Sequence, residues 1–399
     1  MKIPDLAQLL ARGVRGRRVF VRADLNVPLR DGRVGDDTRI RASVPTLAKL
    51  AEAGARVVVA SHLGRPRGER RPELSLAPVA EALAQRLGRE VRFCSECVGP
   101  EAEAAAAALP EGGVLLLENL RFHAGETDND PDFAAALART ADDYVNDAFG
   151  TAHRAHASTT GMVARMERAA AGDLLQAELE HLQLVVEPVR PFVCLLGGAK
   201  VSDKLGVLGA LSERADVLCV GGAMAYTFLR ALGRPTGDSL VEEDRIEDAR
   251  RVLAAAAQAG RELLLPSDHV VAERPEAGAP TRTVTEIPEG WRGVDIGPAT
   301  ARAFGEACGR ARTIFWNGPM GIFEIEAFAE GTRAVARAVA DAPARSVVGG
   351  GDSLAAVNAT GVADRITHLS TGGGASLEYL QGLELPGVAA LRARAGGPS

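Results

Sequence analysis

Short runs of valine, leucine and isoleucine recur along the whole chain, and longer alanine- and leucine-rich stretches separate them. The runs predict strands at Arg18–Arg22, Arg56–Ala60, Val114–Leu117 and Tyr144–Asn146 in the first half. In the second half they predict strands at Phe192–Leu196, Val217–Val220, Glu262–Leu265, Thr313–Trp316, Ser346–Val348 and Ile366–Leu369. The stretches between them predict helices, among them Pro45–Ala53, Pro78–Leu87 and Ala249–Ala259. A strand that is apolar throughout needs cover on both faces, and alternating helices supply it, so the fold class is α/β with parallel sheets. Near the middle, the helix expected over Gln176–Val186 is followed by Pro188 and Pro191, which end it before the next strand. The chain is therefore divided into a first domain at 1–175, an inter-domain helix and hinge at 176–191, and a second domain at 192–380. The tail, 381–399, is expected to pack back toward the first domain.

Composition narrows the function classes. A chain of 399 residues is too long for one ordinary core, and 46% hydrophobic content is enough to fill two. With 46 basic against 52 acidic residues the net charge is −6, which argues against nonspecific nucleic-acid binding. The longest uncharged run, Val217 to Leu229, is thirteen residues, short of the ~17 that a membrane-spanning helix needs. The opening residues, Met1 to Asp5, hold no apolar signal core, and five cysteines do not make a disulfide framework, so a soluble, cytoplasmic protein is expected. Cys94 and Cys97 form a CxxC without the partners of a zinc set. Only four of the 46 basic residues are lysines (Lys2, Lys49, Lys200 and Lys204), and two of these lie four apart.

Nearly every expected strand ends in a glycine-rich or polar cluster, and ligands of parallel α/β sheets bind outside those carboxyl ends. Two sets of such loops, one per domain, suggest a cleft with a different ligand on each wall. In the first half, Asp24 and Asn26 lie two apart after the first strand, so they face one ligand or make a local turn. Arg39 follows in Asp37–Ile40. The segment Ser61–Pro66 sets His62 and Arg65 on either side of Gly64, an arrangement able to hold a phosphate. Arg121 lies in Glu118–His123, where it could instead pair with Glu118. Arg154 sits in Asn146–His156 beside His153 and His156, which could equally cap or fill a core. Five of the seven histidines fall in this half, four of them in strand-end motifs near an arginine. Together the set reads as a site for a small, multiply anionic substrate.

In the second half, Gly197–Leu205 follows a strand and is expected to open a helix, with Lys200 and Lys204 sharing one face near its positive end. No lysine follows a glycine and no GxGxxG occurs, so neither a Walker A loop nor a dinucleotide fingerprint is present. Trp316–Glu324 offers an apolar surface for a base and the Glu324 carboxylate for ribose hydroxyls. Gly349–Ser353 offers backbone N–H groups for phosphates and Asp352 for Mg²⁺. Thr371–Glu378 brings a second glycine run, at Gly372–Gly374, to a helix start.

Taken in order and spacing, Asp24–Pro28, Ser61–Pro66, Glu118–Phe122, Asn146–His156, Gly197–Lys204, Gly221–Ala225, Trp316–Glu324, Gly349–Ser353 and Ser370–Glu378 resemble the phosphoglycerate kinase family. The resemblance runs from about Asp24 to Gly387. It implies two Rossmann-like domains separated by a cleft, joined by a hinge helix and closed by hinge bending, usually in a monomer. It implies reversible phosphoryl transfer between 1,3-bisphosphoglycerate and MgADP, giving 3-phosphoglycerate and MgATP, with Mg²⁺ as the cofactor and no nucleic acid or membrane as partner. Carried over by position, Asp24, Leu25, Asn26, Arg39, His62, Leu63, Gly64, Arg65, Arg121 and Arg154 would bind phosphoglycerate. Lys204, Asn317, Glu324, Gly350, Gly351, Asp352 and Ser353 would bind nucleotide, with Asp352 on the metal. Arg39, Lys200, Gly372 and Gly373 would surround the phosphoryl group in flight. The chain departs from the family's pattern at Leu25, where phenylalanine is common, at Arg67, where lysine is common, and near Leu383, where a lysine is missing. Another ATP-dependent carboxylate or carbamate kinase would share the nucleotide wall without needing His62, Arg65, Arg121 and Arg154. A silent scaffold of the same fold should have lost Lys200, Arg39 or Asp352, and all three are present.

Overall fold

Strands whose residues are buried on both faces dominate the centre of each half, and they pair in parallel as their composition requires. The computed structural model describes residues 3–395. In the first half the strands are β1 (Arg18–Ala23), β2 (Leu29–Arg30), β3 (Arg33–Val34), β4 (Arg56–Ala60), β5 (Val91–Cys94), β6 (Val114–Leu117), β7 (Asp143–Asp147) and β8 (Arg168–Ala171). In the second they are β9 (Phe192–Leu196), β10 (Val217–Val220), β11 (Glu262–Leu264), β12 (His269–Ala272), β13 (Arg282–Val284), β14 (Arg292–Ile296), β15 (Thr313–Asn317), β16 (Arg345–Gly349) and β17 (His368–Ser370). Two compact units result, one running to Leu179 and resuming at Glu384, the other Glu180–Leu383.

The first unit is built on a six-stranded sheet in the order β5-β6-β4-β1-β7-β8, parallel throughout. Its register sets Val19 beside Val57 and Val21 beside Val145, and these residues share a core with Leu47, Leu50 and Leu83 from the covering helices. The second unit repeats the plan with β11-β10-β9-β15-β16-β17, again parallel, over a core that includes Val193, Phe304, Ile314 and Val335. A separate antiparallel sheet, β13-β12-β14, is added to it. In each large sheet the chain first moves outward on one side and then returns to the other side of its starting strand. The crevices this leaves, beside the carboxyl ends of β1 and β7 and of β9 and β15, are where loops diverge and ligands fit.

Four strands match the predicted apolar runs residue for residue, while β5, β8 and the antiparallel sheet carry no such signal. Arg168-Ala-Ala-Ala171 has helical propensity by composition, and only pairing with β7 makes it a strand. The helix expected from Pro45 begins at Thr38 and runs to Glu52, with Pro45 inside it, which places Arg39 in its first turn. A helix at Asp173–Val186 crosses from one unit to the other. The last helix, Pro386–Ala395, lies against the first unit: the Gly387 N–H donates to the Ala152 carbonyl (2.8 Å), and Arg394 donates to that of Val163 (3.1 Å). Among the described residues no helix is long and apolar enough to cross a membrane.

Candidate active site

At the carboxyl end of β1 the chain turns so that Asp24 and Asn26 brace neighbouring loops. Asp24 is buried and accepts from Arg39 Nη1 at 2.5 Å, which holds the guanidinium at the start of its helix over the sheet edge. The Leu25 N–H donates to Ser61 Oγ (2.9 Å), and Asn26 Oδ1 accepts from the Gly64 N–H (2.9 Å). Arg121 Nη1 donates to the Gly64 carbonyl (2.9 Å), so this one residue joins two of the expected ligand-binding loops. Gly64 has φ +63°, and a Cβ there would lie 2.8 Å from the Leu74 side chain. Leu63 is held through its N–H by Asn119 Oδ1 (3.2 Å). Glu118 does not pair with Arg121; it accepts from Ser75 Oγ (2.7 Å) and the Leu76 N–H (2.8 Å) and fixes the chain there.

Positive charge accumulates here beyond the residues expected. Burial, reinforced by the charges of Arg22, Arg65 and Arg154, brings the Arg121 guanidinium down to about 10. Burial together with Arg22, Arg121 and Arg39 drives the His62 imidazole well below its ordinary range, and burial with the same kind of neighbours brings His156 to about 4. Both rings are neutral at pH 7. Arg65 and Arg154 remain exposed, and Arg154 Nε reaches His153 Nε2 at 3.0 Å. Underneath lies a fully buried group that sequence reasoning misses. Arg22 donates from Nε to Ser158 Oγ (2.8 Å), from Nη1 to the Ala23 carbonyl (2.6 Å) and lies 3.9 Å from Glu126. The available signal is an arginine inside the otherwise apolar Val19–Ala23 run, which must find partners if it is to be buried.

The second unit presents its polar residues at the β9/β15 crevice. Lys200 and Lys204 do not share a helical face: both precede the helix Leu205–Ser212, and Lys204 occupies its N-cap. Lys204 Nζ donates to the carbonyls of Gly197 (2.6 Å) and Asn317 (2.8 Å) and to Asn317 Oδ1 (2.6 Å). Burial lowers this ammonium to about 8 despite Asp352 nearby. Asn317 in turn donates to the Gly349 carbonyl (2.8 Å), linking β15 to the loop after β16. Lys200 is exposed. The neighbouring Glu242, which carries no sequence signal of its own, accepts from the N–H groups of Val201 and Ser202 and from Ser202 Oγ (2.6 Å).

A cavity of about 610 Å³ opens beside these loops, with Gly198, Ala223, Leu240, Val241, Met320 and Ile322 among its apolar walls and Glu324 and Asp352 among its polar ones. Its apolar face does not include Trp316, which is fully buried in the core and donates from Nε1 to the Gly318 carbonyl (2.8 Å). A strand residue at the sheet centre cannot face a ligand at the sheet end. Gly350 (φ +94°) caps the helix Gly351–Thr360, whose first turn holds the exposed Asp352 and the buried Ser353. Ser353 Oγ accepts from the Gly318 N–H at 2.6 Å. Gly373, with φ +53°, precedes the helix Gly374–Leu380, and the Gly372 N–H reaches Ser370 Oγ at 3.3 Å. No group of three or more His, Cys, Asp or Glu among the described residues could hold a metal ion by itself. Of the carboxylates lining the cavity, Asp352 lies in the first turn of the helix Gly351–Thr360, and a single carboxylate can hold Mg²⁺ that also takes ligands from a substrate's phosphates.

Comparison with known proteins finds relatives over nearly the whole chain. The family model for phosphoglycerate kinase matches residues 9–383. A phosphoglycerate kinase of Moorella thermoacetica is 58% identical over 381 residues, covering 95% of this chain and 97% of that protein. The cytosolic phosphoglycerate kinase of Triticum aestivum is 52% identical over 385 residues, 95% of this chain and 96% of that one. Among solved structures, phosphoglycerate kinase from Coxiella burnetii superposes with a TM-score of 0.89 at 40% identity, covering 99% of this chain and 100% of that one. The enzyme from Pyrococcus horikoshii does so with 0.85 at 34% identity, covering 96% and 98%.

Proposed function

The chain belongs to the phosphoglycerate kinase family and is a phosphotransferase with a carboxyl acceptor, and from that premise we propose a role for each part of the two sites. Phosphoglycerate is held by the first unit: Asp24 and Asn26 take its polar groups, and His62, Arg65, Arg121 and Arg154 take its charge, over the backbone of Leu25, Leu63 and Gly64. What supports this most is the gathering of arginines around two neutral imidazoles at one sheet end, a surface suited to a small multiply charged anion. The second unit takes the nucleotide in the cavity walled by Met320 and Ile322. Glu324 is assigned to the ribose, and Lys204, Asn317 and Gly350 through Ser353 to the phosphate end. Asp352 would hold the Mg²⁺, which when bound draws charge from the phosphate oxygens.

The carboxylate of 3-phosphoglycerate is already an anionic nucleophile, so the site needs no general base. Its work is to align the two substrates in line and to neutralise the moving phosphoryl group. Arg39 has five N–H donors and can keep Asp24 with one while offering others, and Lys200 with the backbone of Gly372 and Gly373 completes the charge. The two substrates must meet with water excluded, and the reading assigns that to a closing movement about the Asp173–Val186 helix. The enzyme is read as a cytoplasmic monomer, a compartment that suits five free cysteines, all buried.

The test is ADP and acyl-phosphate formation, drawn off by glyceraldehyde-3-phosphate dehydrogenase and followed as NADH oxidation. Turnover should require both MgATP and 3-phosphoglycerate. Arg39→Ala should lower it on the order of 10³-fold, with MgATP affinity unchanged. Turnover without phosphoglycerate, or loss of MgATP binding in that variant, would overturn the assignment.

A further inference from the structure

Beneath the phosphoglycerate loops, the fully buried Arg22 guanidinium approaches His62 Nδ1 with its Nη2 at 3.2 Å. Imidazole nitrogens accept or donate according to tautomer, but a guanidinium can only donate. The nitrogen facing Arg22 must therefore be the acceptor, and the ring proton must sit on the other nitrogen, Nε2. Among the described residues this is the ring's one hydrogen bond, so Nε2 keeps its proton for whatever enters the site.

We propose that Arg22 is a positioning residue for phosphoglycerate binding, locking His62 as a neutral Nε2–H tautomer and so making it an obligate hydrogen-bond donor. The geometry behind Arg22 supports the assignment. Its Nε and Nη1 are committed to Ser158 Oγ and the Ala23 carbonyl, and Ser158 Oγ donates to Glu126 Oε1 at 2.6 Å, which leaves Nη2 aimed at the ring. A second proton on Nδ1 would set N–H against N–H. The charged and titratable groups around the ring point the same way: Arg22 from β1, Arg39 from the helix Thr38–Glu52, Arg121 from the loop after β6 and His156 after β7 all disfavour an imidazolium. Glu126, 3.9 Å from Arg22, is the counter-charge beneath, engaged with Arg22 and Ser158 rather than with His62. Consequently the donor does not depend on pH across the neutral range, and it selects for an acceptor oxygen on the ligand. The tautomer follows from the side chains alone, while its use for phosphoglycerate rests on the function proposed above.

The tautomer can be read directly from the ring nitrogens of ¹⁵N-histidine-labelled full-length protein, by long-range ¹H–¹⁵N correlation from pH 8 to pH 6. His62→Gln identifies the signal. The expected spectrum has an unprotonated Nδ1 and a protonated Nε2 throughout. A proton on Nδ1, or titration within that range, overturns the proposal. Removing Arg22 alone strands Glu126, so the variant of choice is Arg22→Met with Glu126→Gln. In it the ring should begin to exchange tautomers, with the proton shared between Nδ1 and Nε2, while burial and the remaining charges keep it neutral. KM for 3-phosphoglycerate should rise about tenfold, the loss of one oriented hydrogen bond, while KM for MgATP stays put. An unchanged ring in that variant, or a changed ring with unchanged phosphoglycerate KM, also overturns it. A wild-type chain that binds and turns over no phosphoglycerate would count against the proposed function instead, and the ring measurement would still decide the tautomer.

Discussion

Lys204 offers a test in which stability and ligand binding respond to pH in opposite directions. Its ammonium sits among three oxygens of Gly197 and Asn317, yet burial lowers its pKa from 10.5 to about 8. Desolvation thus outweighs the hydrogen bonds. Between these two values the unfolded chain holds the proton and the folded chain has released it, so stability rises with pH through that window. Below pH 7 both states are protonated, and the charge costs the fold roughly 3 kcal/mol, since each tenfold loss of proton affinity is worth about 1.36 kcal/mol. From pH 8 to pH 9.5 the folded protein should therefore gain about 2 kcal/mol from this group alone. The assay is urea denaturation at both pH values for the wild type and for Lys204→Met. The difference between the two proteins cancels every other titrating group, and it should move by that amount in favour of the wild type. Nucleotide phosphates at the proposed site would favour the charged form, so MgATP affinity should weaken as pH rises above 8, with proton uptake visible by calorimetry in buffers of different ionisation heat. Parallel stability curves for the two proteins would refute the desolvation argument. A pH-independent MgATP affinity would refute the phosphate contact.

The glycines near that lysine separate into two kinds. At Gly318 (φ +97°) a Cβ would lie 2.3 Å from the Gly197 carbonyl oxygen and 2.5 Å from Lys204 Nζ, so Gly318→Ala should cost about 3 kcal/mol in denaturant unfolding and raise KM for MgATP. At Gly351 a Cβ meets nothing within 4 Å, so Gly351→Ala should leave stability equal or raised by up to ~1 kcal/mol while still raising KM for MgATP; unchanged kinetics would remove it from the nucleotide site. Asp147 is fully buried, accepting from the N–H groups of Leu174 and Leu175, and burial raises its carboxyl from 3.8 to about 7. With the folded value above the unfolded one, the stability it contributes is complete below the unfolded value and is lost as pH rises through 7. Asp147→Asn should therefore gain on the wild type by roughly 4 kcal/mol between pH 4 and pH 8, and parallel urea curves would contradict this.

What could be read in advance, and what could not, follows from where each residue's partners lie. Val57–Ala60 and Phe192–Leu196 announce themselves because a strand covered on both faces must be apolar at every position, a local property. Arg168–Ala171 does not, since its strand character is conferred by Tyr144 and Val145, more than twenty residues away. Most of the proposed site residues were legible for a related reason: strand ends in a parallel sheet converge, so polar residues following apolar runs meet whether or not their spacing is known. Trp316 marks the edge of that rule, one residue before the strand's end and already in the core. The lysine pair marks another, because spacing of four means a shared face only if a helix has begun, and here it begins at Leu205.

Glycine runs are the hardest to read because two physical demands produce the same letter. Gly197, Gly222 and Gly318 are required by the chain itself: a Cβ at Gly222 would lie 2.5 Å from the Gly198 nitrogen, and one at Gly197 would lie 2.1 Å from the Pro319 carbonyl oxygen. They let three strand-end loops pack backbone against backbone, which brings Asn317 within reach of Lys204. Gly351 and Gly373 have open space where a side chain would go, so nothing in the fold's packing explains the missing Cβ. Gly373 answers in part to its positive φ, whereas at Gly351 neither φ nor packing calls for a glycine, and the kinetics of Gly351→Ala decide whether a ligand at the start of its helix does. The same reasoning separates Arg22 from Arg65. A charge buried with all three of its nitrogens engaged serves the fold and orients its neighbour, whereas the exposed Arg65 keeps its donors in solvent, where the proposed anion could take them.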